Sequence, residues 1–177
     1  KDPFSFYRYE PDYKTEKDWV YGEAYRCESE AAEYLQTWKE LRDEIRELTT
    51  GAGPIWTRLE IESYNTLLQS AQNSVLACQL MRLEFEDAIR RGDHRQAYES
   101  WMSQMGIVRS IEYEPFERSQ SIHLRILETC LADLKLAIEL DVLDERQLEA
   151  VLPQVKSCDG FGQKYRLMVA GERAMSL

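Results

Sequence analysis

The sequence predicts an all-α protein of five or six antiparallel helices, arranged as an irregular bundle or a short stack of helical hairpins. Apolar residues recur at spacings of three and four in several segments, which is the period of an amphipathic helix. No segment shows the alternation of polar and β-branched residues that a strand requires. Of the 177 residues, 44% are hydrophobic and 31% are charged, so the chain has a globular composition and enough length to bury a core.

Residues 1–28 are expected to form an aromatic-rich arm that precedes a single helical domain of residues 29–177. The rings of Tyr7, Tyr9 and Trp19 are the candidate recognition residues of this arm. Two interpretations stay open: the arm recognises a peptide, a sugar or a second subunit, or its rings pack on the domain. We favour packing, because chain termini need such anchors to be ordered.

The first helix of the domain is predicted over residues 29–49. Its opposite face carries mostly acidic and basic side chains, and the glycines and proline of residues 51–54 end it. The predicted buried stripe consists of Ala31, Leu35, Trp38, Leu41 or Arg42, Ile45 and Leu48.

A helical hairpin is predicted around Gly92, which suits the position just after a helix, while Asp93 suits the N-cap of the next one. The helix before this joint has no charged residue from Ser63 to Met81 and is apolar on several sides, so we expect it at the centre of the bundle. Its polar side chains then need buried partners or line a groove. The candidate groove residues are Gln69, Gln72, Asn73 and Gln79.

Four helices are predicted after the joint, over residues 93–110, 115–140 and 144–153 and from about Asp159 onward. Gly106 is expected to weaken the last turn of the first of these, and Pro153 to limit the third. The long helix carries two apolar stripes, which predict contacts with two neighbouring helices. These stripes are Leu124, Leu127, Leu131, Leu134 and Ile138, and beside them Ile126, Cys130 and Ala137.

The sequence contains no recognisable catalytic, cofactor-binding or metal-binding motif, and we expect no cofactor. The two histidines, His94 and His123, belong to no metal-ligand pattern. The net charge of −10 would repel a phosphate backbone, so nucleic acid is not an expected partner. The cysteines form no closely spaced pair, which disfavours zinc and leaves both free thiols and disulfides open for Cys27, Cys78, Cys130 and Cys158.

Two resemblances add to this interpretation. The spacing of Gly92, Ala97 and Trp101 resembles the turn of one tetratricopeptide hairpin, although no 34-residue repeat follows. A second set of features, over residues from about 76 to 177, consists of Arg82, Gly92 with Ala97, the helix after Pro115, Leu152-Pro153 and Gly171-Glu172-Arg173. In this order they resemble a group of uncharacterised planctomycete proteins, generally predicted to be secreted or membrane-anchored, with a helical domain of this layout.

The second resemblance implies an extracytoplasmic helical domain whose anchor precedes Lys1, and it implies no activity. The sequence itself favours a non-catalytic protein-interaction or scaffold domain without a transmembrane segment. The alternative is a helical carrier of a small apolar ligand or lipid, which needs an enclosed apolar cavity. An enzyme is the least favoured hypothesis, because no catalytic constellation is present.

Overall fold

The computed structural model describes residues 28–50, 64–112 and 117–159, which form a bundle of helices without any strand in these ranges. The predicted all-α class is therefore confirmed. The elements are α1 (Glu28–Thr37), α2 (Lys39–Thr50), α3 (Tyr64–Arg91), α4 (His94–Ser110), α5 (Glu117–Glu139), α6 (Glu145–Lys156) and a 3-10 turn (Ser157–Asp159). Helices α3 and α4 lie at the centre: α4 packs against α2, α3 and α5, and α3 also packs against α1, α2 and α5.

The helix predicted over residues 29–49 is interrupted at a single residue, Trp38, between α1 and α2. Backbone hydrogen bonds still run through the interruption, since Trp38 N donates to Tyr34 O and Arg42 N donates to Trp38 O. The predicted buried stripe is wrong at its end. Leu48 is 58% exposed, whereas the neighbouring Thr49 is buried.

Thr49 is buried because α2 approaches α4 very closely at Gly106. A Cβ atom added to Gly106 would lie 2.4 Å from Thr49 Cβ and 2.9 Å from Thr49 O. The helix predicted over residues 93–110 is confirmed, since α4 continues through Gly106 to Ser110. At Gly106 the missing side chain lets the two helices approach closely.

The joint between α3 and α4 has the structure that the sequence predicts. Gly92 has a φ of +69°, which glycine adopts without strain, and its N–H donates to Ile89 O. Asp93 N donates to Ala88 O, which completes a Schellman motif at the end of α3. The Asp93 side chain then accepts a hydrogen bond from Gln96 N and caps α4.

The capping box predicted at Asp144 is present at the start of α6, where the side chains of Asp144 and Gln147 each bond the other's backbone N–H. The prediction that Pro153 limits this helix is wrong, since α6 continues to Lys156. Proline removes one N–H donor, but the Pro153 carbonyl still accepts a hydrogen bond from the Ser157 N–H. The helix predicted from Asp159 onward and the aromatic arm lie outside the described residues.

Candidate functional site

Helix α3 carries charged side chains that pair with neighbouring helices on two different faces. Glu84 and Glu86 are two residues apart, a spacing that points side chains in different directions on a helix. Glu84 lies on the side of α2 and α4, whereas Glu86 lies beside Arg82 and faces α5. The α3–α4 hairpin therefore has two polar clusters, which we call the α2-side cluster (Arg42, Arg46, Glu84, Gln96 and Ser100) and the α5-side cluster (Cys78, Arg82, Glu86, Gln104, Cys130 and Asp133).

In the α2-side cluster, Glu84 is fully buried and surrounded by donors from two other helices. Arg42 and Arg46 of α2 both form ion pairs with Glu84 Oε1. From α4, Gln96 Nε2 donates to Oε1 at 2.8 Å and Ser100 Oγ donates to Oε2 at 2.7 Å. Both carboxylate oxygens are thus occupied by the protein itself, and the cluster joins α2 to the hairpin.

The α5-side cluster supplies fewer donors for its carboxylates. Arg82 Nε lies 3.1 Å from Glu86 Oε1 and 3.2 Å from Asp133 Oδ1, so one guanidinium is shared by two acids. Burial raises the pKa of Asp133 to about 7, although Arg82 acts in the opposite direction. Burial also raises the pKa of Glu86, and Arg82 again lowers it. The Asp133 carboxyl therefore titrates near neutral pH.

Gln104 connects the thiols of this cluster to the acid. Its Oε1 lies 3.9 Å from Cys78 Sγ and 3.6 Å from Cys130 Sγ. A hydrogen bond with Cys78, together with burial, raises the pKa of the Cys130 thiol, so this thiol stays protonated. Gln104 lowers the pKa of Asp133 slightly, yet neither Gln104 Nε2 nor Asp133 Oδ2 completes a well-formed hydrogen bond among the described residues.

Neither cluster has the arrangement of a catalytic or metal centre. Within residues 28–50, 64–112 and 117–159, no group of three or more His, Cys, Asp or Glu side chains could hold a metal ion. The thiols of Cys78 and Cys130 are free and buried, and cysteines buried in a core are poorly reactive. The Cys158 thiol is partly exposed and donates to Gln154 O at 3.4 Å, and Cys27 lies outside the described residues.

The outer face of α5 carries an uncovered apolar row formed by Leu124, Leu131 and Ile138, which are 38%, 36% and 54% exposed. The second predicted stripe of this helix, represented by Cys130 and Ala137, is buried. The predicted contact of this helix with two neighbours is confirmed, since α5 packs against α3 and α4 and Leu127 and Leu134 of the first stripe are buried. The row at a spacing of seven forms the more exposed edge of that stripe. Leu148 and Leu152 of α6, four residues apart, are also exposed, at 40% and 52%.

The structure describes the side chains of three of the four predicted groove residues, all on α3. Gln72 and Asn73 are exposed on α3 and Gln79 is half-buried, whereas the side chain of Gln69 lies outside the described residues. Tyr7, Tyr9 and Trp19 also lie outside them, so the groove and the recognition arm stay predictions. The sequence did contain a sign of the α2-side cluster, because Arg42 falls within an otherwise apolar stripe. It contained the α5 row too, as apolar residues at heptad spacing.

Comparison of the chain with models of known protein families, with curated proteins and with solved structures gave no match. None of the six described helices combines the length and the apolar composition that a membrane span requires. The local geometry of this chain is therefore the basis for a functional proposal.

Proposed function

We propose that this chain is a non-catalytic helical interaction domain that binds another protein through the outer face of α5. The observation that supports the proposal is the apolar row of Leu124, Leu131 and Ile138. Exposed apolar residues that are scattered singly are normal on a protein surface, but a row of them is typical of an interaction site. Here the three residues repeat every seven positions, so they lie along one line of the helix.

The surroundings of the row also fit a protein interface. Arg125, Glu128 and Lys135 are exposed on the same helix and flank the apolar residues. An apolar centre with a charged rim is the usual anatomy of a protein–protein interface. The inner face of α5 is fixed in the core through buried Ile126 and Ala137, so the helix presents its outer face without having to leave the bundle.

Site-specific photo-crosslinking tests this proposal. A photoreactive amino acid is placed at Leu131 of the full chain, or at Arg95 as the control, in cells that naturally produce the protein. Arg95 lies on α4 with an 87% exposed side chain, away from the row. We expect a discrete protein adduct from position 131 and none from position 95, and serine substitutions at Leu124 and Ile138 should weaken the adduct.

Three outcomes would overturn the proposal. Position 131 gives no protein adduct, or it gives the same adducts as position 95, or it reacts only with another segment of its own chain. In the last case the row is covered within the molecule and is not an interface.

A further inference from the structure

We propose that the protein bound by α5 is a second copy of this chain, with the two α5 helices antiparallel. This inference rests on the proposed function and adds the identity of the partner. The pattern of apolar and charged residues along α5 is complementary to itself when one copy is turned by 180°. The complementarity has an apolar part and an electrostatic part.

The apolar part follows from the spacing of the row. Leu124 and Ile138 each lie seven residues from Leu131, one on either side. A two-fold axis through Leu131 therefore places Leu131 against its own counterpart and Leu124 against Ile138 of the second copy. Such an interface uses the same surface on both copies and closes after two, as most protein dimers do.

The electrostatic part selects the antiparallel orientation. Glu128 lies three residues before Leu131, and Lys135 lies four residues after it. The same axis therefore brings Glu128 of each copy beside Lys135 of the other. Arg125 and Glu139 lie six residues before and eight after Leu131, so they meet in the same way. These charges all lie on the same flank of the row, and a parallel pair of helices would place those flanks on opposite sides of the contact, so the opposite charges would not meet.

These four charged residues are all exposed and therefore accessible to a second copy. In the single chain Lys135 Nζ lies 3.6 Å from Glu139 Oε1, a surface pair that holds the side chains only weakly. The two copies, each with a net charge of −10, repel one another at long range, and physiological salt screens this repulsion. Because the contact consists of one helix face, we expect a dimer that dissociates at micromolar concentrations.

Sedimentation of the full chain at physiological salt tests the inference through charge reversal. The single variants Glu128→Lys and Lys135→Glu each create two like-charged contacts per dimer, so each should weaken dimerisation by about 10-fold. The double variant reverses both charges and should restore the wild-type dissociation constant. An equal mixture of the two single variants should form a heterodimer, because one copy then offers two lysines and the other two glutamates.

Control measurements separate association from folding. Circular dichroism should show unchanged helical content in all variants, and Arg95→Glu, which reverses an exposed charge on α4, should leave dimerisation unchanged. Leu131→Asn should abolish the dimer independently of charge, because it places an amide at the centre of the apolar contact.

The outcomes distinguish this inference from the proposed function. If the chain stays monomeric while position 131 crosslinks to a different protein, the second-copy inference falls and the interaction domain stands. If the chain is monomeric and position 131 gives no adduct, both fall. If the wild type dimerises and neither the charge reversals nor Leu131→Asn weakens dimerisation, the contact lies elsewhere and the antiparallel α5 arrangement is overturned.

Discussion

The two sides of the α3–α4 hairpin differ in the donors that surround their buried carboxylates. On the α2 side, Glu84 receives two guanidinium groups, one amide and one hydroxyl. On the α5 side, Asp133 shares the guanidinium of Arg82 with Glu86, and its Oδ2 lacks a well-formed hydrogen bond among the described residues. Both carboxylates are buried, so the number of donors that each one receives distinguishes the two sites.

This difference assigns separate roles to the two sides. A buried charge network in which each carboxylate oxygen has partners fixes the relative position of its helices, whereas a partly satisfied one weakens the core. We therefore expect the α2 side to act as the rigid joint of the bundle. The α5 side should instead respond to pH.

The largest expected effect is the loss of the charge on Glu84. The Glu84→Gln variant keeps the shape of the side chain but leaves buried Arg42 without its counter-ion. We expect the free energy of unfolding, measured by chemical denaturation, to fall by about 3 kcal/mol or more. The control Glu99→Gln removes the carboxylate of an exposed pair with Arg95 and should change stability by less than about 1 kcal/mol. Equal losses in the two variants would remove the distinction between a buried joint and a surface pair.

A second prediction concerns the close contact between α2 and α4. Gly106→Ala places a Cβ against both the side chain and the backbone of Thr49, so the helices must separate. We expect a destabilisation of about 2–3 kcal/mol, as for overpacking of a core. The same change at Gly92 meets no atom within 4 Å but strains the positive φ, and should cost about 1 kcal/mol.

The matching rescue for this contact is Thr49→Gly, which removes the side-chain part of the clash. Combined with Gly106→Ala, it should recover some of the lost stability in a double-mutant cycle. If the two substitutions are simply additive, the stability loss at Gly106 does not arise from the Thr49 side chain.

The third prediction concerns the α5 side and depends on pH. The pKa of Asp133 rises from 3.8 to about 7 in the folded protein, so the folded state holds this proton more tightly than the unfolded state. The contribution of Asp133 to stability is then fully present below about pH 4, declines as the pH rises through 7, and levels off above it. The asparagine side chain of the Asp133→Asn variant does not titrate, so the stability of this variant should not decline in this way as the pH rises.

The measurement compares unfolding free energies of the wild type and Asp133→Asn between pH 4 and pH 8. We expect the unfolding free energy of the variant, relative to that of the wild type, to increase as the pH rises, by ~3 kcal/mol over the whole interval. The control Glu149→Gln, at an exposed position of α6, should track the wild type. A constant difference between Asp133→Asn and wild type would show that Asp133 is ionised over the whole interval and would contradict the prediction.

Some of these features could be predicted from the sequence because their causes are local. The joint at Gly92 and Asp93 and the capping box at Asp144 depend only on residues within one turn of the helix end. The helical class follows from periodicity, which each segment carries by itself. The errors at Leu48 and Pro153 also have local causes that a pattern does not resolve. An apolar stripe in the sequence does not show at which residue the contact with the neighbouring helix ends. A proline in the exposed last turn of a helix removes only one hydrogen bond.

The polar clusters and the exposure of the α5 row could not be predicted from the sequence, because they depend on contacts between residues distant in the chain. Arg42 and Glu84 are 42 residues apart, and no spacing rule brings them together. Likewise, the heptad spacing of Leu124, Leu131 and Ile138 is visible in the sequence, but it does not tell whether another helix covers them. Only the packing of α3, α4 and α5 leaves that row exposed.

By itself, therefore, the sequence determined the helices of this protein, most of their ends and the faces that could be buried, because these depend on short-range hydrogen bonds and on the helical period. The tertiary structure decided which of those faces are covered and which charges are paired. Coverage and pairing depend on contacts between residues distant in the chain, and close approaches such as that of Gly106 to Thr49 decide where those contacts form.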